Sequence, residues 1–308
     1  MGFMNDYAEQ RDRTNRSEMR DRIDRAIRKD GHIEPFEGVR LMRLAHFTED
    51  ILGDTKPSVC FIAQGAKELY LGEARYRYDP EHFLLATVEI PVRSVVMAPS
   101  EAMPYLGLRV ELDPALVGSV MVEAGLAASS NASEAKALCV SRVDSDLLDA
   151  ATRLVRLLDS PAQAKTLIPQ TKREIVYRLL TGAEGHRLRH LPAPGGQTQR
   201  IARALERLRE EFDRPLSIED LAKELGMSST RFHHHFKAVT DMSPLQFQKQ
   251  IRLQEARRLM LGEDFDASSA GYRVGYEDPS HFSRDYKRYF GESPMRDVER
   301  LRSTSTVD

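Results

Sequence analysis

The chain contains few cysteines, no long apolar run and almost no net charge. Only Cys60 and Cys139 occur among its 308 residues, without any CxxC spacing, which argues against a disulfide framework or a zinc knuckle. No run approaches the ~18 apolar residues of a membrane-spanning helix, and the N-terminus lacks a signal-peptide core. These absences predict a cytoplasmic protein that does not enter a membrane.

Length and composition predict two packed domains. A chain of 308 residues with 41% hydrophobic content can bury two cores. The stretch LPAPGGQT, residues 191–198, has the proline and glycine content of a linker. We therefore expect an N-terminal domain over 1–190 and a C-terminal domain over 199–297, followed by a tail over 298–308.

One pattern occurs twice between Leu216 and Pro294. The first copy reads LSIEDLAKELGMSSTRFHHHFKAVTDMSP, and the second, about fifty residues later, reads FDASSAGYRVGYEDPSHFSRDYKRYFGESP. Each copy predicts a short helix, a turn at Gly226 or Gly275, and a second helix. A short repeat of this kind is one supersecondary unit used twice, here over 217–240 and 266–290.

The second helix of the first copy has one apolar face and one polar face. Phe232, Phe236 and Val239 recur at the i, i+4, i+7 spacing of a buried stripe. The remaining face is polar and directed outward, with Thr230, His233, His234 and Lys237. The pattern predicts a short helix that presents polar side chains to solvent or to a partner.

The segment between the two copies predicts a rigid spacer. PLQFQKQIRLQEARRLML, residues 244–261, starts with a proline suited to the first helical position and reads as one helix of about 27 Å. A spacer of that length can hold two outward helices close to the ~34 Å pitch of B-DNA. The spacing therefore indicates a protein that reads two successive major grooves of double-stranded DNA.

The second copy also resembles a known family. Its VGYEDPSHFSRDYKRYFGESP is similar to the C-terminal signature of AraC/XylS-type transcription regulators, and the first copy and RLQEARRLML fit the same pattern. The resemblance implies an all-α DNA-binding domain with two helix-turn-helix motifs. It also implies the residues that face bases, namely Thr230, His233, His234, Ser280, Ser283 and Arg284.

Among the base-facing residues, Arg284 has the chemistry for a bidentate contact with guanine. The phosphate contacts that we expect come from cations and from one helix start, at Ser228, Lys237, Lys287 and Arg288. For each of these residues the alternative is an ordinary solvated surface position.

Net charge gives the DNA interpretation little support. From Gln197 to the end, 19 Lys and Arg residues face 19 Asp and Glu residues. Between Arg231 and Arg258, however, six basic residues accompany two acidic ones. A local basic patch can neutralise phosphates although the domain as a whole is neutral, so we expect modest non-specific affinity.

The N-terminal half alternates in the manner of a β-rich domain. Seven short runs between about Phe36 and Leu112, within residues 36–113, predict an antiparallel barrel or sandwich, and residues 133–190 predict helices. PSVCFIAQGAKELYLGEARYRYDPEHFLLATVEIPV and PYLGLRVELDP resemble the cupin-like N-terminal domain of one subgroup of these regulators, which is thought to bind an effector. The predicted fold class is α+β, an N-terminal cupin-like β-barrel with flanking helices joined to the helical domain.

A small-molecule pocket in that domain is the associated site hypothesis. The residues that could line it are mainly aromatic, at Phe61, Tyr78, Phe83, Tyr105 and Arg109. Ordinary core packing is the alternative for each one. Cupin-like barrels can also be metal enzymes, but His32, His46 and His82 form no HxH pair, so we expect no metal, no cofactor and no enzymatic activity.

The predicted function is therefore a sequence-specific transcription regulator controlled by a small-molecule effector. The expected partners are promoter or operator DNA, a second copy in a homodimer, and RNA polymerase if the protein is an activator. One alternative is a cupin-type enzyme with a fused helical domain, which metal analysis and a catalytic screen would detect. The other is a DNA-binding regulator whose barrel only dimerises, which ligand-induced thermal shifts would distinguish.

Two local features carry smaller expectations. The first thirty residues alternate in charge and predict a solvated tail leading into one helix. In the second copy, Ala270 and Gly271 give the first helix less to bury, and a helical glycine costs about 1 kcal/mol. We therefore expect the second unit to be looser than the first.

Overall fold

The computed structural model describes residues 2–46, 51–72, 74–127, 136–191, 197–263 and 265–305. The chain divides into two compact units, Met1–Gln199 with Ala238–Asp241, and Arg200–Lys237 with Met242–Asp308. The predicted linker falls mainly on 192–196, which lie outside the described residues.

A long helix opens the first unit. Helix α1, Gly2–Ala26, begins well before the point at which the charge pattern predicts a helix. Met19 and Ile23 on this helix, with Ile27 just after it, are buried in the main hydrophobic core of the unit. Glu18, the residue before Met19 on the same helix, accepts hydrogen bonds from Arg156 and Arg22. The segment predicted to be a solvated tail is therefore helical from residue 2. A narrow apolar stripe is enough to stabilise a helix when it packs against a hydrophobic core.

The described residues of the first unit form ten short strands. They are β1, Gly31–Phe36; β2, Val39–Leu44; β3, Ile51–Thr55; β4, Ser58–Gln64; β5, Ala66–Leu71; β6, Ala74–Tyr78; β7, His82–Ala86; β8, Ile90–Met97; β9, Tyr105–Glu111; and β10, Leu138–Arg142. The seven alternating runs correspond to β2 and β4–β9, whereas β1 and β3 were not among them and β10 lies in the region predicted to be helical. Strand β10 exists because it pairs with β7, with Cys139 opposite Leu85.

The strands form two antiparallel sheets rather than one closed barrel. The larger sheet has the order β1-β2-β9-β4-β7-β10, and the smaller has the order β3-β8-β5-β6. In the register of β4 with β9, Cys60 lies opposite Arg109 and Phe61 lies opposite Leu108. Since neighbouring residues point to opposite faces, this register assigns each side chain to one of two surfaces.

Further helices pack into the same core as α1, which itself contacts β2, β4 and β9 of the larger sheet. They are α2, Pro114–Glu123; α3, Ser145–Arg156; α4, Pro161–Thr181; and α5, Gly185–Leu188. Asp113 and Asp144 cap α2 and α3 by accepting hydrogen bonds from backbone amides of the first turn. Leu108 and Val110 of the sheet belong to the same buried cluster as Leu154 of α3. This cluster is the main core of the unit.

The second unit is built from helices. They are α6, Gln197–Glu210; α7, Ile218–Glu224; α8, Ser229–Thr240; α9, Pro244–Gly262; α10, Ala267–Arg273; α11, Pro279–Phe290; and α12, Pro294–Ser305. The α+β class and the long spacer helix are confirmed. The predicted tail from residue 298 is instead the second half of α12, because Val298 is buried against the helices before it. In the part of the chain that the structure describes, no helix is both long enough and apolar enough to span a bilayer.

Candidate nucleic-acid interface

The first helix-turn-helix unit consists of α7, a glycine turn and α8. Ser217 caps α7 by accepting a hydrogen bond from the Asp220 amide at 3.3 Å. The chain reverses at Gly226, whose φ of +66° lies in the left-handed region that favours glycine. The Ser228 hydroxyl then accepts a hydrogen bond from the Arg231 amide at 3.3 Å. Capping residues and one glycine thus place the start of α8.

Helix α8 has a buried aromatic face and an exposed polar face. The rings of Phe232 and Phe236 are fully buried with centroids 5.5 Å apart, and Phe236 meets Phe247 of α9 edge-on at 5.6 Å. The residues predicted to face DNA from this helix are all exposed, at Thr230, His233, His234 and Lys237. The aromatic contacts therefore hold α8 on the spacer helix and direct its polar side outward.

The second unit repeats this arrangement with different local chemistry. Asp266 caps α10 by accepting a hydrogen bond from the Ser269 amide at 2.7 Å. A Cβ added to Gly271 would lie 3.0 Å from the ring of Phe282. The glycine expected to loosen α10 therefore allows α11 to pack closely against it, which sequence periodicity could not reveal.

Helix α11 begins with an acidic cap. Asp278 accepts a hydrogen bond from the Ser280 amide at 2.7 Å, and this bond holds the pKa of the Asp278 carboxyl below its usual range. Phe282 and Tyr286 form the buried face. Of the predicted contact residues, Ser280, Arg284, Lys287 and Arg288 are exposed and Ser283 is half-buried.

The spacer helix α9 is fixed to both units by polar contacts as well as by packing. The Arg252 guanidinium donates to the carbonyl oxygens of Phe212 at 2.6 Å, Arg214 at 2.9 Å and Gly275 at 2.8 Å. Gln248 donates to two of the same oxygens. One side chain of α9 therefore connects the loop before α7 with the turn of the second unit.

Two further contacts position α11. Lys249 of α9 forms an ion pair with Asp285 at 2.9 Å. The fully buried Asp297 of α12 accepts hydrogen bonds from the Tyr286 hydroxyl at 2.7 Å and from Arg257 at 2.7 Å. Burial and the neighbouring Asp297 raise the pKa of Tyr286 far above its usual value, so the phenol remains a donor. Sequence reasoning missed this network because its members are scattered over forty residues.

The residues predicted to line an effector pocket lie on two faces of the larger sheet. Phe61 and Phe83, whose ring centroids are 6.4 Å apart, belong to the core beneath the helices. Tyr105 and Arg109 alternate with that core and lie on the opposite face, where Tyr105 is hydrogen-bonded to Tyr78 of the smaller sheet. The structure therefore brings together Tyr78, Tyr105 and Arg109, and separates the two phenylalanines from them.

The N-terminal unit also contains an open groove, and its described residues form no metal cluster. An open groove of about 1020 Å³ lies beside Phe36, Leu112 and Ile168, and none of the five predicted effector residues lines it. Among the described residues, no three His, Cys, Asp or Glu side chains come together as a metal site. His46 and His82 instead contact Asp30 and Asp79.

Comparisons with known proteins agree with this division of the chain. Residues 35–187 match the family described as "AraC-type transcriptional regulator N-terminus", and residues 221–300 match the "Helix-turn-helix domain" family. The transcriptional activator RhaS of Escherichia fergusonii is 26% identical over 165 residues, which are 53% of this chain and 58% of RhaS. The regulator CdhR of Pseudomonas aeruginosa is 26% identical over 46% of this chain and 43% of its own length. The chain thus spans about half the length of these curated relatives.

Solved structures show the same fold. ToxT from Vibrio cholerae, with an unsaturated fatty acid bound, has a TM-score of 0.52 and 13% identity, covering 88% of this chain and 97% of ToxT. ToxT bound to (E)-4-(8-methylnaphthalen-1-yl)but-3-enoic acid has a TM-score of 0.52 and 14% identity, covering 85% of this chain and 98% of ToxT. With an AraC-type N-terminal domain, two helix-turn-helix units and this fold, the chain belongs to the AraC family of transcription regulators.

Proposed function

We propose that the protein regulates transcription by binding a specific DNA sequence through α8 and α11. The observation that carries this proposal is the repeated unit itself. In each copy, two aromatic side chains bury one face of a short helix, while its polar residues are exposed. Arg252 connects the two copies through main-chain carbonyls, which restricts their movement relative to the spacer.

The dimensions of α9 fit a reader of two adjacent major grooves. Its 19 residues give a length of about 28 Å, near the ~34 Å between successive major grooves on one face of B-DNA. In this proposal Arg284 donates both guanidinium N–H groups to a guanine, while Thr230, His233, His234, Ser280 and Ser283 make the other base contacts. Lys237, Lys287 and Arg288 contact phosphates, as does the start of α8 at Ser228.

We further propose that the N-terminal unit binds a small-molecule effector. The match to the AraC-type N-terminal family supports this role, and so does the ToxT fold, whose solved structures carry small organic acids. Within this unit, Tyr78, Tyr105 and Arg109 form the cluster that we assign to ligand binding. We also propose that the protein forms a homodimer in the cytoplasm and that it contacts RNA polymerase when it activates transcription.

Footprinting the full chain on genomic DNA fragments tests the DNA-binding function. We expect protection of two segments about one helical turn apart on one face of the duplex. Insertion of about half a turn between the segments should abolish simultaneous protection, because α9 is too rigid to follow the rotation. Equal protection of unrelated fragments would contradict sequence-specific binding.

Charge-removing variants distinguish the two kinds of contact. Lys287→Ala should weaken binding to every sequence and lower the slope of log affinity against log salt by about one. Arg142→Ala serves as the matched control, since this exposed arginine lies on β10 of the other unit. If Lys287→Ala affected only one sequence, its assignment to phosphate would be wrong.

A further inference from the structure

The space between the two sheets contains an unusual concentration of titratable side chains. On the smaller sheet, Lys67 lies opposite Tyr78 in the β5–β6 register, so both share one face. On the larger sheet, Cys60 lies opposite Arg109, and Tyr105 alternates onto the same face as Arg109. The Tyr78–Tyr105 hydrogen bond shows that these two faces meet. The five side chains therefore line one interior.

Lys67 has no anionic partner in this interior. Its ammonium nitrogen lies 5.9 Å from the centre of the Tyr105 ring, and no carboxylate contacts it among the residues that the structure describes. Burial lowers the pKa of Lys67, and Arg109 acts in the same direction as a second positive charge. Yet the side chain is only half-buried, so the cation borders accessible space rather than packed core. An arrangement of this kind is costly without a ligand.

The acidic groups nearby cannot supply the missing negative charge. Burial raises the pKa of the Cys60 thiol, and it likewise raises the pKa values of Tyr78 and Tyr105. All three groups are therefore neutral near pH 7. A bound anion would complete the site electrostatically, whereas a neutral ligand would leave Lys67 without a counter-charge.

We propose that Lys67 and Arg109 bind the carboxylate of a small organic acid in the space between the two sheets. This inference rests on the proposed function, because the acid would be the effector of the regulator. Aliphatic side chains from the same strand faces, such as Leu84 opposite Cys60 and Val96 opposite Lys67, receive the apolar body of the ligand. A phosphate is less suited, since the backbone amides of paired strands are engaged in the ladders and form no anion-binding nest.

Sequence reasoning named Tyr78, Tyr105 and Arg109 for the pocket but not Lys67. An isolated lysine in the run AKELYL gives no sign that it points inward. The inward position follows only from its pairing with Tyr78 and Val96. Gly107 contributes in a similar way, since a Cβ there would lie 2.7 Å from the Tyr105 hydroxyl, and its absence allows the ring to lie across the strand.

Thermal shift and calorimetry on the full chain test the proposal with matched acid and amide probes. Octanoate and benzoate supply carboxylates, and octanamide and benzamide supply the same bodies without the charge. We expect at least one acid to raise the melting temperature and to bind more tightly than its amide, because only the carboxylate can pair with the Lys67 ammonium. Absence of a shift with both acids, or equal binding of acid and amide, would overturn the proposal.

Substitution at Lys67 supplies the second arm. Lys67→Met should weaken binding of the acid by about 10- to 100-fold, while raising the melting temperature of the ligand-free chain by removing a cation without a counter-charge. Lys67→Arg keeps the positive charge and should retain more of the acid binding than Lys67→Met, and Lys29→Met, which removes an exposed lysine before β1, is the control. Unchanged acid affinity in Lys67→Met would overturn the assignment.

DNA binding is measured on the same samples by footprinting. If the acids do not bind while the footprints are intact, only this inference is overturned. If the unsubstituted chain gives no footprints, the proposed function is overturned.

Discussion

The two helix-turn-helix units share a skeleton but differ in how their turns and helix starts are built. Phe232 and Phe282 occupy the same buried position, and Ser243-Pro244 and Ser293-Pro294 close the two copies. The first turn, at Gly226, is open, because nothing lies within 4 Å of an added Cβ. The second turn, at Gly275, lies against the backbone of Asp213. Equivalent positions in a repeat therefore carry different constraints.

The helix starts differ in charge, and this difference affects how each unit can approach DNA. Ser228 begins α8 with a neutral hydroxyl, whereas Asp278 begins α11 with a carboxylate. A helix N-terminus attracts phosphate, but an acidic cap repels it. In the proposed complex with DNA, the start of α8 would therefore be the better phosphate site, and α11 would depend more on its cations Arg284, Lys287 and Arg288.

The buried partners of the two second helices also differ. Phe236 of α8 makes aromatic contacts with Phe232 and Phe247. Its counterpart Tyr286 adds a hydrogen bond to the buried Asp297, which in turn pairs with Arg257. The second unit, predicted to be the looser one, thus contains a buried polar network as well as an aromatic core.

The largest expected effect distinguishes the two turn glycines. Gly275→Ala should destabilise the chain by about 2–5 kcal/mol, because left-handed strain is joined by overlap with the Asp213 carbonyl. Gly226→Ala should cost only about 1–2 kcal/mol, since only the strain applies. Denaturant unfolding measured by circular dichroism checks the difference. Equal losses would mean that the second turn relaxes away from Asp213.

Removal of one hydroxyl tests the buried network. Tyr286→Phe should destabilise the chain by about 1–3 kcal/mol, because Asp297 loses a donor while remaining buried. Leu259→Ala is a packing control in the same core, with an expected loss of about 2–5 kcal/mol and no polar partner left unsatisfied. Chemical denaturation with both variants measures the two losses. A Tyr286→Phe chain as stable as the parent would show that the network contributes nothing.

Base recognition should be unequal between the two helices. Arg284→Ala should cost about 1–3 kcal/mol on the cognate site and relax specificity at one base pair, because a bidentate guanine contact is lost. His234→Ala, the equivalent change in α8, should cost less, because a single imidazole cannot make that paired contact. Fluorescence anisotropy with single-base operator variants measures both. A larger loss of affinity for His234→Ala than for Arg284→Ala would contradict this prediction.

The smallest expected effect is a pH dependence confined to the first unit. Burial, and then Arg231, lowers the pKa of His235 from 6.5. Because the unfolded chain then binds a proton more readily than the folded chain, stability should fall as pH drops below about 6.5. The equivalent residue in the second unit is Asp285, which pairs with Lys249. Melting temperatures between pH 7.5 and 5.5 for the parent and His235→Gln test this, and an identical slope in both would contradict it.

Local signals in the sequence were sufficient to predict most of the helical unit. Helix starts are marked by Ser228 and Pro244, turns by Gly226 and Gly275, and buried faces by aromatic residues at helical spacing. Each signal acts within a few residues of where it appears, so it can be read without knowledge of distant contacts. The repeat itself then indicated two equivalent units on a common spacer.

The tertiary structure alone decided which face each strand residue occupies and which distant groups meet. Phe61 and Tyr105 both suggested a pocket, but strand pairing buried the first beneath helices and turned the second toward the opposite sheet. The same pairing brought Lys67 beside Tyr105, and helix packing joined Asp297 to Tyr286. Register and packing are fixed by contacts between residues far apart in the chain, and a one-residue shift exchanges the two faces of a strand. For that physical reason, the sequence alone determined the helices of the second unit, whereas only the folded chain determined which side chains line the space between the two sheets of the first unit.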